Sequence, residues 1–253
     1  MINLLPGRDL FMLISTEDTR TFNTDIRLAA TLAAVAGALN TAAFETVGFF
    51  SANMTGNVSS LSDHLAKANL NIGLFFLLIV LLFIAGSSVS TLIINSGRRR
   101  QIRGIYAINI LLEGIALLVL GIVESGFHFS EGGVLLILSL SFLMGLQNAV
   151  VTRISNARVR TTHVSGTSTD IGIELAMLFD VLRRKESPKD APLYIERLKL
   201  HCYTVLAFLA GGVLGILLLQ WLSYALLIVI GLLLSALALS ALKRAGSNPL
   251  HAR

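Results

Sequence analysis

Apolar residues run almost unbroken in six stretches: Leu28–Phe50, Ile72–Ile94, Gly104–Val123, Val134–Val151, Cys202–Leu222 and Tyr224–Leu242. A hydrocarbon core of about 30 Å is crossed by roughly 20 helical residues, so the pattern predicts six transmembrane helices. The last two are joined in a tight hairpin around Trp221–Tyr224, aromatic residues suited to a membrane interface. Polar stretches follow the first and fourth spans. Each leads into a short helical pattern, Val58–Lys67 and Asp170–Leu182, too short to cross.

Composition supports lipid as the solvent. The chain is 54% hydrophobic and 14% charged, with a mean hydropathy of +0.76, whereas soluble domains carry about 25% charged residues. The net charge of +5 sits between the apolar runs, where the positive-inside rule explains it better than nucleic-acid binding does. With Arg98–Arg103 in the cytoplasm, every Lys and Arg except Lys67 falls on that side, together with both termini. The expected location is a bacterial inner membrane. Residues 1–26 read as a cytoplasmic tail with a short interfacial helix near Asp9–Ser15, because Leu10–Ile14 is too short for a cleavable signal and acids follow it. The expected division is that tail, a first repeat at 27–126, a second at 127–243 and a cytoplasmic tail at 244–253.

Several chemistries are missing. Cys202 is the only cysteine and the five histidines are scattered, which argues against a disulfide or metal site. There is no P-loop, no nucleophile elbow and no His-Glu-x-x-His. No catalytic residue, metal or cofactor is expected. Membrane lipid is the expected partner, a small solute is a second, and a homo-oligomer is compatible with the pattern.

The halves echo each other. Gly37-Ala38-Leu39-Asn40 returns as Gly145-Leu146-Gln147-Asn148, Thr55-Gly56-Asn57 as Ser165-Gly166-Thr167, and Phe83-Ile84-Ala85-Gly86 as Phe208-Leu209-Ala210-Gly211. Three spans per half make the repeats inverted, an arrangement that in secondary transporters places the site at the repeat interface. Duplication without transport would leave the same trace.

The motifs Phe50–Ser60 and Thr161–Asp170 are each centred on a glycine. Glycine permits a tight turn, a neighbouring Ser, Thr or Asn can cap a following helix, and Thr167 with Asp170 has capping-box spacing. One reading is a broken or re-entrant segment around a polar cavity, its helix amino terminus suited to an anionic group. The other is a solvated loop entering an interfacial helix, which Arg153, Arg158 and Arg160 favour for the second motif. Within the spans, Gly37, Thr41, Glu45 and Gly48 share one helical face, as do Ser141, Gly145, Asn148 and Thr152. Glu113 lies mid-span, where a charge is costly and must face protein or water. Gly86 with Ser90 and Gly211 with Gly215 read as close-packing pairs.

At Phe50–Asn57 (FSANMTGN), Gly145–Ala149 and Val159–Thr169 (VRTTHVSGTST) the chain resembles the YoaK family of six-span bacterial membrane proteins. The likeness extends over about residues 28–243. It implies the six-span fold and adds weight to the motifs, and it supplies no substrate. The family pattern often has an acid at Asn40 and Thr at Ser165. Glu45, one turn on, is a candidate to replace that acid.

The leading expectation is a secondary transporter or small-solute permease. Asn53, Thr55, Gly56 and Asn57, with Ser165, Gly166, Thr167 and Asp170, would frame the site. Asn40, Glu45, Glu113, Gln147 and Asn148 would line it. The alternative is a non-transporting sensor, lipid-binding protein or complex subunit using the basic 152–200 segment.

Overall fold

A computed structural model describes residues 12–13, 21–126 and 133–247. Among these residues the chain forms eight helices and no strand. They are α1 (Phe22–Val47), α2 (Met54–Ala66), α3 (Leu70–Arg99), α4 (Ile105–Gly126), α5 (Val134–Ile154), α6 (Val164–Leu182), α7 (Ala191–Leu222) and α8 (Ala225–Ser247). All but α2 and α6 are long and apolar enough to span a bilayer, which gives the six spans of a multi-pass membrane protein.

The helices outrun the apolar stretches at their polar ends. Thr21 caps α1, its hydroxyl accepting from the Thr24 N–H at 3.3 Å. The helix therefore takes in Asp25 and Arg27, which the hydropathy pattern had left outside the first span. Asp25 is buried and pairs with Arg158 at 3.2 Å. Gly48 stops α1 in the left-handed region, φ 75°, its N–H donating to Phe44 O. α7 starts at Ala191 with Pro192 in its first turn, well before Cys202, because Glu196, Arg197 and Lys199 interrupt an apolar run without interrupting a helix. Met12 and Leu13 are buried. The rest of the expected interfacial helix, residues 127–132 between α4 and α5, and the last six residues lie outside the described residues.

The most extensive helix pairs are α1–α7, α4–α8 and α3–α5, and each joins one helix from each half of the chain. Glycines bring them together. A Cβ on Gly37 would collide with the Phe208 carbonyl oxygen and lie 3.1 Å from Gly212 N; a Cβ on Gly145 would collide with the Phe83 carbonyl oxygen. Gly211 meets the Ala34 backbone and Gly86 the Phe142 backbone in the same way, as the small-residue pairs had suggested. Lipid removes the hydrophobic drive between helices, so such backbone approach is the main source of packing. The pairings correspond across the halves: α1–α7 with α5–α3, and α2–α3 with α6–α7.

After α1 and after α5 the chain doubles back along the helix it has left. The Ala52 N–H donates to Asn40 Oδ1 at 2.9 Å. The Thr162 hydroxyl donates to Asn148 Oδ1, also at 2.9 Å. Asn40 and Asn148 lie well inside their helices, so both tethers pull the starts of α2 and α6 back to helix depth.

Candidate functional site

Each polar motif folds as the first turn of a short helix. α2 begins at Met54 and α6 at Val164, earlier than the predicted Val58 and Asp170. At the head of α2, Asn53 Oδ1 accepts from the Gly56 N–H at 3.1 Å. A Cβ on Gly56 would strike the Asn53 amide, and a Cβ on Gly166 would lie 2.5 Å from His163 Cε1. Neither glycine has a positive φ, so the expected tight turn does not occur. The glycines make room for the side chain that covers the first helical turn. The predicted capping box is also absent. Thr167 lies inside α6 and its hydroxyl donates to His163 O at 2.9 Å, while the His163 side chain caps nothing.

The two helix starts open onto one cavity of about 610 Å³. Its walls come from equivalent places in the two halves. Asn40 in the first half corresponds to Asn148 in the second, Phe83 to Phe208, Asn53 to His163, and Thr55 to Ser165, and all eight line it. The halves differ where the first contributes Phe50 and the second Arg160. Asn148 is held on both sides, its Nδ2 donating to Met144 O and its Oδ1 accepting from Thr162. Asn40 is held on one side only, through Oδ1, and that bond fixes which end of the amide is oxygen. It is 6% exposed.

Five of the residues singled out from the sequence line this cavity: Asn40, Asn53, Thr55, Asn148 and Ser165. Others serve the scaffold. Asn57 is buried, and its amide donates to Phe50 O at 3.1 Å to close the turn before α2. Gly166, Thr167 and Asp170 border a smaller cleft of about 290 Å³ that shares Arg160 and His163 with the larger one. Glu45 is exposed and lines neither. Five residues along a helix is a turn and a further 140° or so, so Glu45 faces away from Asn40 and does not replace an acid there. Its predicted companions on that face, Gly37 and Thr41, pack against α7, where the Thr41 hydroxyl donates to Gly212 O at 3.1 Å.

Glu113 and Gln147 form a separate buried pair between α4 and α5. Gln147 Nε2 donates to Glu113 Oε1 at 3.1 Å, and both residues are fully buried. Glu113 Oε2, Gln147 Oε1 and Asn109 Oδ1 are buried without a hydrogen-bond partner. Asn109 is one turn from Glu113 on α4, so three acceptor oxygens gather in the interior. Gln147 precedes Asn148, and the two adjacent residues of α5 face this pair and the cavity respectively.

Phe50, Phe83, Phe208, Arg160, His163, Thr152 and Thr162 also line the cavity and were not singled out as site residues. Phe83 and Phe208 open the third echo between the halves, a signal that could have marked them. Arg160 was read as a headgroup anchor, because basic residues beside a span usually are. Among the described residues no cluster of three or more His, Cys, Asp or Glu could hold a metal.

Six helices long and apolar enough to span a bilayer, four of which (α1, α3, α5 and α7) contribute to the wall of one cavity, define a multi-pass membrane protein with a cavity between the starts of α2 and α6. A family model described as "Protein of unknown function (DUF1275)" matches residues 28–240, and the chain belongs to that family. No curated protein and no solved structure matches it.

Proposed function

We propose that the protein is a secondary transporter or small-solute permease of a bacterial inner membrane. In this reading both termini lie in the cytoplasm, the side on which the positive-inside rule puts the arginine-rich segments. The YoaK-type motifs Phe50–Asn57 and Val159–Thr169 mark its substrate site. The two halves act as inverted repeats with α2 and α6 as re-entrant helices. The observation that carries this is the cavity between the starts of α2 and α6, lined by matching residues of the two halves. Irregular backbone at membrane depth is tolerated where it lines such a cavity, and transporters place substrate there. The cross-half pairs α1–α7 and α3–α5 give two bundles that could rock about the site. Coupling, where present, runs through Glu113, which Gln147 joins to the cavity wall.

Counterflow or electrical recording in proteoliposomes tests the reading. Flux is expected from the native chain and is lost in Glu113→Gln while the protein stays folded. Unchanged flux in that variant removes Glu113 from the mechanism. Absence of flux for every solute that binds the cavity would favour the sensor or lipid-binding reading instead.

A further inference from the structure

The cavity's two ends differ in chemistry. On the side of the second half stands Arg160, exposed, with no ion pair or hydrogen bond to any described residue. Its guanidinium is permanently charged and forms a planar fork matched to a carboxylate or phosphate. Val164 and Ser165, in the opening turn of α6, are also in the wall. The first bond of that helix is Thr167 N–H to His163 O, so the preceding N–H groups have no intrahelical acceptor. Met54 and Thr55 present the start of α2 to the same space. Two helix starts place two positive dipole ends there.

An independent observation points the same way. Asn40 is 6% exposed and lines the cavity, and its Oδ1 is taken by Ala52. Its Nδ2 donates to no described group and is not sealed off, so it remains as a donor open to the cavity. No carboxylate lines this cavity; Asp170 belongs to the adjoining cleft. Every strong electrostatic feature of the wall favours negative charge.

The rest of the wall is apolar. Phe50, Phe83 and Phe208 line it, and Phe50 is set in place by stacking on Phe44, with ring centroids 4.2 Å apart. A small inorganic anion would leave those rings without a role. A volume near 610 Å³ is in the range of sites for small organic molecules.

We infer that the cavity binds a small organic anion, a carboxylate with an apolar or aromatic body. Its charged group sits among Arg160, the Asn40 amide and the start of α6, and its body lies against Phe50, Phe83 and Phe208. The inference rests on the cavity being the substrate site, as proposed above. It concerns binding and does not require that transport follow.

Binding to the full-length protein in detergent or nanodiscs would be measured by calorimetry or thermal shift. The probes are hexanoate, benzoate and phenylacetate, their uncharged amides, and inorganic phosphate. The carboxylates should bind, while the amides and phosphate should bind at least about 10-fold more weakly. Arg160→Gln should weaken carboxylate binding by roughly 10- to 100-fold, the usual effect of losing a charged hydrogen bond. Arg160 is exposed and has no partner, so the fold should survive. Asn40→Asp, which replaces a donor by a like charge, should abolish binding, and Asn40→Ser should retain part of it.

Three results would overturn the inference: amides binding as well as acids, no carboxylate binding, or undiminished affinity in Arg160→Gln. Carboxylate binding with no flux would sink the transport reading and leave this one intact. Flux of a cation or neutral solute, with no carboxylate binding, would do the reverse.

Discussion

Replacing Gly145 by alanine tests how the two halves are held together. The added Cβ would overlap the Phe83 carbonyl oxygen, lie 2.8 Å from the carbonyl carbon and lie 3.0 Å from Cα. All three are backbone atoms of α3, so no side chain can swing aside and the helices must separate. Restoring ordinary contact needs a shift on the order of 1 Å, and a gap of that size forfeits a quarter to a half of each atom–atom contact it opens. With tens of contacts of about 0.1–0.2 kcal/mol each, the expected loss is about 1–3 kcal/mol, the usual cost of overpacking. The better helix propensity of alanine returns up to about 1 kcal/mol. Gly172 on α6 has nothing within 4 Å of its Cβ position, so Gly172→Ala should be neutral or stabilising by about 0.5–1 kcal/mol. Reversible unfolding in mixed micelles can read both. Gly37→Ala, which strikes Phe208 in the α1–α7 pair, should cost a similar amount and add to Gly145→Ala within about 0.5 kcal/mol. Gly86→Ala lies in the same α3–α5 contact as Gly145 and should add much less, because the first substitution has already opened the gap. If Gly145→Ala proved as stable as Gly172→Ala, the backbone contact, and with it the cross-half packing, would be wrong.

Gln147→Leu removes the donor to Glu113 Oε1 and should destabilise the protein by about 1–3 kcal/mol; a neutral effect in the same unfolding assay would mean that the pair does not form. Asp25→Asn weakens the tie between the start of α1 and Arg158, whose side chain is 47% exposed. With that exposure, the expected cost is about 1–2 kcal/mol, below that of a fully buried pair, and a smaller loss in Arg158→Met, which leaves the buried Asp25 carboxylate without this counter-charge, than in Asp25→Asn would contradict the assignment of Asp25 as the buried partner. In a Cys202→Ser background, Lys67→Cys and Arg184→Cys, at the far ends of α2 and α6, should react with membrane-impermeant thiol reagents from opposite sides. Reaction from one side would exclude inverted repeats. Thr55→Cys and Ser165→Cys line the same cavity and should be protected together by any ligand that fills it; protection of only one would show two sites.

The sequence by itself determined the span number, because insertion into lipid depends on apolar length, which needs no knowledge of neighbours. It also marked the glycines where helices approach, and the two polar motifs as the place where the chain leaves the spanning pattern. Helical periodicity assigns residues to a face but does not say what that face meets. Gly37, Thr41 and Glu45 share a face in the sequence, yet the first two meet α7 and the third is exposed. Glu113 had the cost of a site residue, but its partner is Gln147 and it does not line the cavity. Only the tertiary structure decided that each major helix pair crosses between the halves. That crossing puts Asn40 and Phe208 in one wall with Asn148 and Phe83, and brings Arg160 to them. The physical reason is that lipid rewards burial of any apolar surface alike. Partner choice then falls to backbone approach and to a few buried hydrogen bonds, and both join residues distant in the chain, from the 34 positions between Glu113 and Gln147 to the 171 between Thr41 and Gly212.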